Sequence, residues 1–186
     1  HRALLSGVPL HIDLQGFKGW EDKRFLEAIA CFQKVLERDA NHVPTYYYLG
    51  SLFFREGAWQ KAVHCYHRLL ELQPNLPAAH YMLADLFGEI GDMEQAEFHF
   101  TQYYELSHSD IALICLATLL PPIYQSEQGL DAWRERFKQK VEQLSQSSLT
   151  LQDPLLEGGI VFFRLLFQGQ NDCELQKKLW WIYSQA

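Results

Sequence analysis

The sequence repeats itself at a fixed interval of 34 residues, and this feature constrains the fold more than any other. The pair Leu49-Gly50 recurs as Leu83-Ala84, and Ala62 recurs as Ala96. Four further pairs keep this spacing, although the last does not keep the residue type: Phe53 with Phe87, Gly57 with Gly91, Tyr66 with Phe100, and Pro74 with His108. A period of this length is typical of helical solenoids, whose units are pairs of antiparallel helices. We therefore predict an all-α protein of stacked helix pairs.

Each repeated residue type has a physical role in such a pair. Small residues such as Gly50 and Ala62 let two helices approach closely, while aromatic side chains fill the space beside them. Gly57 can adopt the left-handed conformation that ends a helix. Moving back by one interval places Ala28 under Ala62, which indicates the second helix of an earlier, incomplete repeat. We predict one partial and two full repeats over residues 1–108.

These residues resemble the tetratricopeptide-repeat family, and the resemblance extends from about Val8 to Ser107. It implies a right-handed helical array with a groove lined by exposed residues of each first helix. In this register the groove has aromatic walls and a mixed-charge floor, formed by Tyr47, Ser51, Phe54, Arg55, Tyr81, Asp85 and Glu89. One interpretation is that these side chains bind a peptide or a helix of a partner protein, and the other is that several pack against the next helix.

The second half, residues 109–186, keeps helical periodicity but loses the residue types of the repeat. Ser126 can cap a helix whose apolar positions are Leu130, Trp133, Phe137, Val141 and Leu144. The basic residues of that helix are expected to form a solvated face: Arg134, Arg136, Lys138 and Lys140. A short apolar helix and a last helix opened by Asn171 follow, and no strand pattern occurs. We predict helices that cap or extend the array.

Two segments of this half resemble the region that joins the repeats to the catalytic half in SPINDLY-type O-linked N-acetylglucosamine transferases. The first, LLPPIYQSEQGLDAWRERFKQKVEQL, carries the matching residues Leu120, Pro122, Ile123, Tyr124, Trp133 and Arg134. The second, FFRLLFQGQNDCELQKKLWWIYSQA, carries Phe167, Gln168, Gly169, Asn171 and Asp172. The resemblance implies the N-terminal part of an enzyme that uses UDP-N-acetylglucosamine to modify Ser or Thr hydroxyls. The alternative is a stand-alone scaffold or adaptor without an associated enzyme.

Catalysis by this chain alone is not expected. The sequence ends at Ala186 without room for the two nucleotide-sugar-binding lobes, so we assign no catalytic, cofactor or metal residues. Two modes of peptide recognition used by related repeats are also not expected in this chain. Ser51 and Asp85 stand where a chaperone-type carboxylate clamp needs asparagine, and Tyr48 and Met82 stand where animal-type transferases have an asparagine ladder.

The last helix is unusually aromatic, with Trp180, Trp181 and Tyr183 close together. Such residues can cap the core of this domain, because a solenoid needs a terminal cap. They can also form an exposed contact surface, either for a catalytic domain that follows or for a second copy of the chain. The sequence leaves these alternatives open.

Composition narrows the partners to proteins. The net charge is -7 and no basic block occurs, which argues against nucleic acid. The apolar run Ile111–Leu120 is about half the ~20 residues of a membrane helix and is interpreted as a buried helix, so no membrane contact is expected. Four scattered cysteines indicate a reducing, cytoplasmic location without disulfides or zinc. His64 and His67 are interpreted as solvated or packing residues without a metal ion.

Overall fold

The computed structural model describes residues 23–149 and 172–185, and these residues form eight helices, which confirms the predicted all-α class. The helices are α1 Lys23–Arg38, α2 Val43–Arg55, α3 Trp59–Leu72, α4 Pro77–Ile90, α5 Met93–Ser107, α6 Asp110–Thr118, α7 Glu127–Ser145 and α8 Cys173–Gln185. The chain separates into two compact units that divide after Met82, inside α4. None of the described helices is long and apolar enough to cross a membrane.

The first unit is held together by an apolar core between α1, α2 and α3. Its buried members are Phe25, Ala28, Phe32, Leu49, Leu52 and Cys65. α2 and α3 pack closely at Gly50, where a Cβ atom would lie 2.5 Å from Cε1 of the fully buried Tyr66 ring. Any larger residue at Gly50 would therefore force the two helices apart. This contact confirms the role predicted for the small residue of the repeat.

Both glycines that recur between the helices of a pair have the predicted conformation. Gly57 has φ 72° and Gly91 has φ 93°, in the left-handed region that side chains other than glycine rarely adopt. Gly57 follows α2, and Gly91 follows α4. These residues turn the chain into the next helix, and Asp92 then caps α5 by accepting a hydrogen bond from Gln95 N at 3.1 Å.

The core of the second unit lies among α6, α7 and α8. Its buried members are Ile111, Ile114, Ala117, Leu120, Phe137, Val141, Leu144, Leu179 and Ile182. The apolar segment from Ile111 is therefore a buried helix, as the sequence predicts. Ser126 caps α7 by accepting a hydrogen bond from Gly129 N at 3.0 Å, which confirms the predicted start of that helix.

The spacing of the helices continues beyond the point where the residue types of the repeat are lost. α3, α5 and α7 begin at Trp59, Met93 and Glu127, each 34 residues after the one before. α6 packs on α7 and is shorter than α2, with nine residues against 13. It ends at Thr118, shortly before Pro121 and Pro122, which cannot continue a helix. The α6–α7 pair thus occupies the sequence position of a further repeat. The predicted domain division at residue 108 stays a prediction.

Candidate functional site

One face of α2 carries the first four candidate groove residues. Tyr47, Ser51 and Phe54 are half-buried and Arg55 is exposed, and their spacing of four, three and one residues places them on the same side of the helix. The buried residues of α2 are Thr45, Leu49, Gly50 and Leu52, and of these Leu49 and Leu52 belong to the core formed with α1 and α3. None of the four candidate residues is a member of that core. We call Tyr47, Ser51, Phe54 and Arg55 the α2 face.

Ser51 is used inside the first unit. Its hydroxyl donates to the carbonyl oxygen of Tyr47 at 3.0 Å and lies 3.2 Å from the hydroxyl of Tyr66. The Tyr66 hydroxyl in turn donates to Sδ of Met82 at 3.5 Å. Met82 therefore stands where an asparagine ladder would require an amide, and its thioether accepts an internal hydrogen bond. This chain of contacts fixes the middle of the α2 face.

The ring of Tyr47 is connected to the core through two further aromatic rings. Its ring meets the ring of Tyr48 edge-on, with centroids 5.7 Å apart, and Tyr48 stacks on Phe32 of the core at 6.0 Å. Burial, and then the neighbouring Tyr48, raises the pKa of Tyr47, so its hydroxyl is a neutral donor at physiological pH. Within the described part of the chain, that hydroxyl makes no hydrogen bond and Arg55 makes no ion pair.

The other three candidate groove residues follow one another on α4. Tyr81, Asp85 and Glu89 are four residues apart, so they share one side of the helix, and all three are half-buried. Each of them takes part in a contact within the protein. Asp85 also acts on Cys115 of α6, since burial first and the charge of Asp85 second raise the pKa of the Cys115 thiol to about 12. The structure therefore assigns these α4 residues partly to internal packing.

Arg134 corrects the expectation of a solvated basic face on α7. Its side chain is only 5% exposed, and its guanidinium forms a two-bond ion pair with the carboxylate of Asp172. The carbonyl of Asp172 also accepts the first backbone hydrogen bond of α8, from Gln176 at 2.9 Å. The expectation is wrong at Arg134. The sequence near Arg134 does not indicate its partner, because Asp172 lies 38 residues away. Lys138 and Lys140 are exposed, as expected.

The 34-residue register explains why Arg134 is buried. Tyr66 and Phe100 occupy equivalent positions in successive helix pairs, and both are buried. Arg134 follows Phe100 by one more interval, so it stands where the earlier pairs have an aromatic ring. Continuing the repeat beyond Ser109 would have found this position. Its neighbour Arg136 lies over the ring of Trp133, 5.1 Å from its centroid, and pairs with Glu97 at 3.0 Å.

The candidate contact patch on α8 is exposed. Trp180 and Trp181 are 68% and 48% exposed, whereas Leu179 and Ile182 reach the core. The interpretation that the aromatic residues cap the core is therefore wrong for both indoles, because the aliphatic residues of α8 make that contact. The side chain of Tyr183 lies outside the described residues.

The LPPIY segment lines a shallow cleft in the second unit. The cleft has a volume of about 320 Å³, and its walls include Met93, Pro121, Ile123, Tyr124 and Trp133. Ile123 is 81% exposed at its edge. The residues Phe167, Gln168, Gly169 and Asn171 of the second resembling segment lie outside the described part of the chain, as does the capping role expected of Asn171.

The side chains that could bind metal ions are dispersed. His64 and His67 are both exposed on α3, as the sequence indicates. Over residues 23–149 and 172–185, no group of three or more His, Cys, Asp or Glu side chains is placed to hold a metal ion. His99 is buried and stacks on Phe87 with ring centroids 5.7 Å apart, so it serves the packing of α4 on α5.

Helix pairs with this period, glycine turns and small-to-aromatic packing define a tetratricopeptide-type repeat region. A comparison with protein families places it over residues 21–103, which match the family described as "Anaphase-promoting complex, cyclosome, subunit 3". The match covers less than half of the 186 residues and leaves the α6–α7 pair and α8 outside. No curated protein matches the chain.

Proposed function

We propose that this chain binds another polypeptide through the α2 face. The observation that carries the proposal is Tyr47, a half-buried aromatic residue that lies outside the core and whose hydroxyl has no hydrogen-bond partner among the described residues. Tyrosine and arginine are enriched in protein interfaces, and the α2 face has both. The matched family is named after a subunit of a multiprotein complex, which also supports a role in protein–protein interaction.

The packing beneath Tyr47 favours binding because it reduces the entropy lost when a partner docks. The stack from Tyr47 through Tyr48 to Phe32 restricts the Tyr47 ring before any partner arrives. Phe54 and Ser51 continue the surface along α2, and Ser51 is already fixed by its internal hydrogen bonds. A partner would therefore meet a surface whose shape is set in advance.

The test is capture of partners by a variant in which Tyr47 and Tyr81 are both replaced by Ala. Tyr104→Ala is the matched control, since Tyr104 is also half-buried but lies on α5 and contacts the ring of His108. We expect the double variant to lose the proteins that the unchanged chain retains and the control to keep them, with unchanged circular dichroism in both. Equal capture by all three proteins would contradict the proposal.

We propose as a second candidate that the chain is the N-terminal part of a SPINDLY-type transferase that uses UDP-N-acetylglucosamine. Support comes from Arg134 and Asp172, which belong to the two different segments that resemble those enzymes and which contact one another. In such a protein, the exposed Trp180 and Trp181 would contact the catalytic region. The test is the intact mass of the native polypeptide followed by an assay of UDP-N-acetylglucosamine hydrolysis. A native product near 21.7 kDa would reject this candidate.

Two smaller proposals accompany these functions. The four cysteines form no disulfide in the described part of the chain, which fits a reducing environment, and we propose a cytoplasmic location. The exposed indoles of α8 could instead join two copies of the chain, which light scattering of the Trp180→Ala, Trp181→Ala double variant would test. A mass that is unchanged by these substitutions would reject the dimer.

A further inference from the structure

The two polar groups at the ends of the α2 face differ in chemistry, because the guanidinium of Arg55 can only donate hydrogen bonds, whereas the hydroxyl of Tyr47 can donate or accept them. The neutral hydroxyl of Tyr47 and the guanidinium of Arg55 have no partner among the described residues, and the raised pKa of Tyr47 keeps its proton in place. Ser51 lies between them, but its hydroxyl is used by internal contacts. Arg55 carries five donor hydrogens, a permanent positive charge and no acceptor. A negatively charged oxygen acceptor therefore complements Arg55, and an oxygen acceptor also suits the protonated hydroxyl of Tyr47.

We infer that the α2 face takes an extended acidic segment of a partner polypeptide, with a carboxylate at Arg55 and a carbonyl or carboxylate oxygen at Tyr47. This inference rests on the proposed function and adds the chemistry of the partner. A guanidinium binds a carboxylate through two parallel hydrogen bonds, whereas a phenol hydroxyl needs one acceptor. Phe54, next to Arg55, provides apolar surface for the side chain that precedes or follows the acidic residue.

Helix geometry sets the spacing of the two acceptors. Tyr47 and Arg55 are eight residues apart on α2, which corresponds to about 12 Å along the helix axis at about 1.5 Å per residue. An extended chain rises about 3.3 Å per residue, so it covers the same distance in about four residues. The acidic residue is thus expected about four positions from the backbone or side-chain oxygen that binds Tyr47.

The experiment uses the full chain and an immobilised array of short peptides of random sequence. Arg55→Glu is compared with Lys138→Glu, which makes the same change in net charge at an exposed lysine on α7. We expect the unchanged chain to retain peptides rich in Asp and Glu. We expect Arg55→Glu to weaken their binding about tenfold or more, as loss of a charged hydrogen bond implies, and Lys138→Glu to leave it unchanged. Tyr47→Phe should weaken it about fivefold, because one neutral hydrogen bond is lost.

Each other outcome overturns a defined part of the reasoning. One such outcome is that Tyr47→Ala abolishes peptide binding, but the bound peptides are not acidic or bind Arg55→Glu as strongly as the unchanged chain. This outcome would overturn the inference of an acidic partner and would leave the proposed function standing. Equal weakening by Arg55→Glu and Lys138→Glu would show a general charge effect and would also overturn the inference. Failure of every peptide to bind the unchanged chain would contradict the proposed function and this inference together.

Discussion

The buried ion pair between α7 and α8 leads to a sharp stability prediction. The side chains of Arg134 and Asp172 are 5% and 2% exposed, and the Asp172 carboxylate forms an ion pair with the Arg134 guanidinium. Asp172→Asn removes that negative charge and keeps the size of the side chain. A buried charge left without its partner costs about 3–5 kcal/mol. We expect α7 and α8 to lose most of their local stability.

Hydrogen exchange followed by mass spectrometry measures this loss element by element. Peptides from α7 and α8 should exchange much faster in Asp172→Asn, whereas peptides from α2 and α3 should be unaffected. Glu142→Gln is the matched control, because it removes an ion pair between α7 and α8 in which both side chains, those of Glu142 and Lys178, are half-exposed. Exposed pairs contribute little, so the control should exchange like the unchanged protein.

A second substitution distinguishes the effect of the unpaired Arg134 charge from an effect of altered side-chain packing. Arg134→Met in the Asp172→Asn background removes the uncompensated charge and keeps an unbranched side chain at the position where Tyr66 and Phe100 stand in the earlier pairs. We expect this double variant to regain most of the protection of α7 and α8. Equal exchange in Asp172→Asn and Glu142→Gln would refute the reasoning, because the Arg134 pair would then matter no more than an exposed one.

Three further predictions concern packing, capping and thiol reactivity. Gly50→Ala should lower the free energy of unfolding by about 1–3 kcal/mol through overpacking against Tyr66, and an unchanged urea midpoint would contradict the close approach seen there. Ser126→Ala should cost about 1 kcal/mol by the same measurement, and Ser126→Asp should retain most of the stability. Burial raises the pKa of Cys65 to about 11 and that of the half-buried Cys115 to about 12, so at pH 8 both should react with a disulfide reagent more slowly than the exposed Cys31 and Cys173. Rapid reaction of all four thiols would contradict the burial of these two.

The helix pairs could be predicted from the sequence because their determinants are local. The 34-residue interval places Gly57 and Gly91 at the turns, and both have the positive φ that ends a helix there. The repeat also predicts close packing at Gly50, where Tyr66 contacts it, because α2 and α3 follow one another directly in the sequence. Ser126 could be predicted as a helix cap because it is a polar residue directly before an amphipathic pattern. Such features depend on neighbours within about one repeat.

Features that depend on distant partners could not be predicted. The 34-residue interval places Arg134 at a buried position, but its ion-pair partner Asp172 lies 38 residues further along the sequence and could not be predicted. The exposure of Trp180 was likewise open, because either side of an amphipathic helix with several aromatic residues could face the core. For the α2 face, the register identified the residues, but the internal use of Ser51 depends on the hydroxyl of Tyr66 on the next helix.

The central claim is that Tyr47 meets a partner polypeptide, and site-specific photocrosslinking tests it most directly. A photoreactive phenylalanine derivative would replace Tyr47 in one sample and Tyr104 in another, and both full-length proteins would be irradiated in extract from the source cells. We predict discrete crosslinked products at position 47, identified by mass spectrometry as peptides of another protein, and none at position 104. Absence of products at position 47, or the same products at both positions, would contradict the claim.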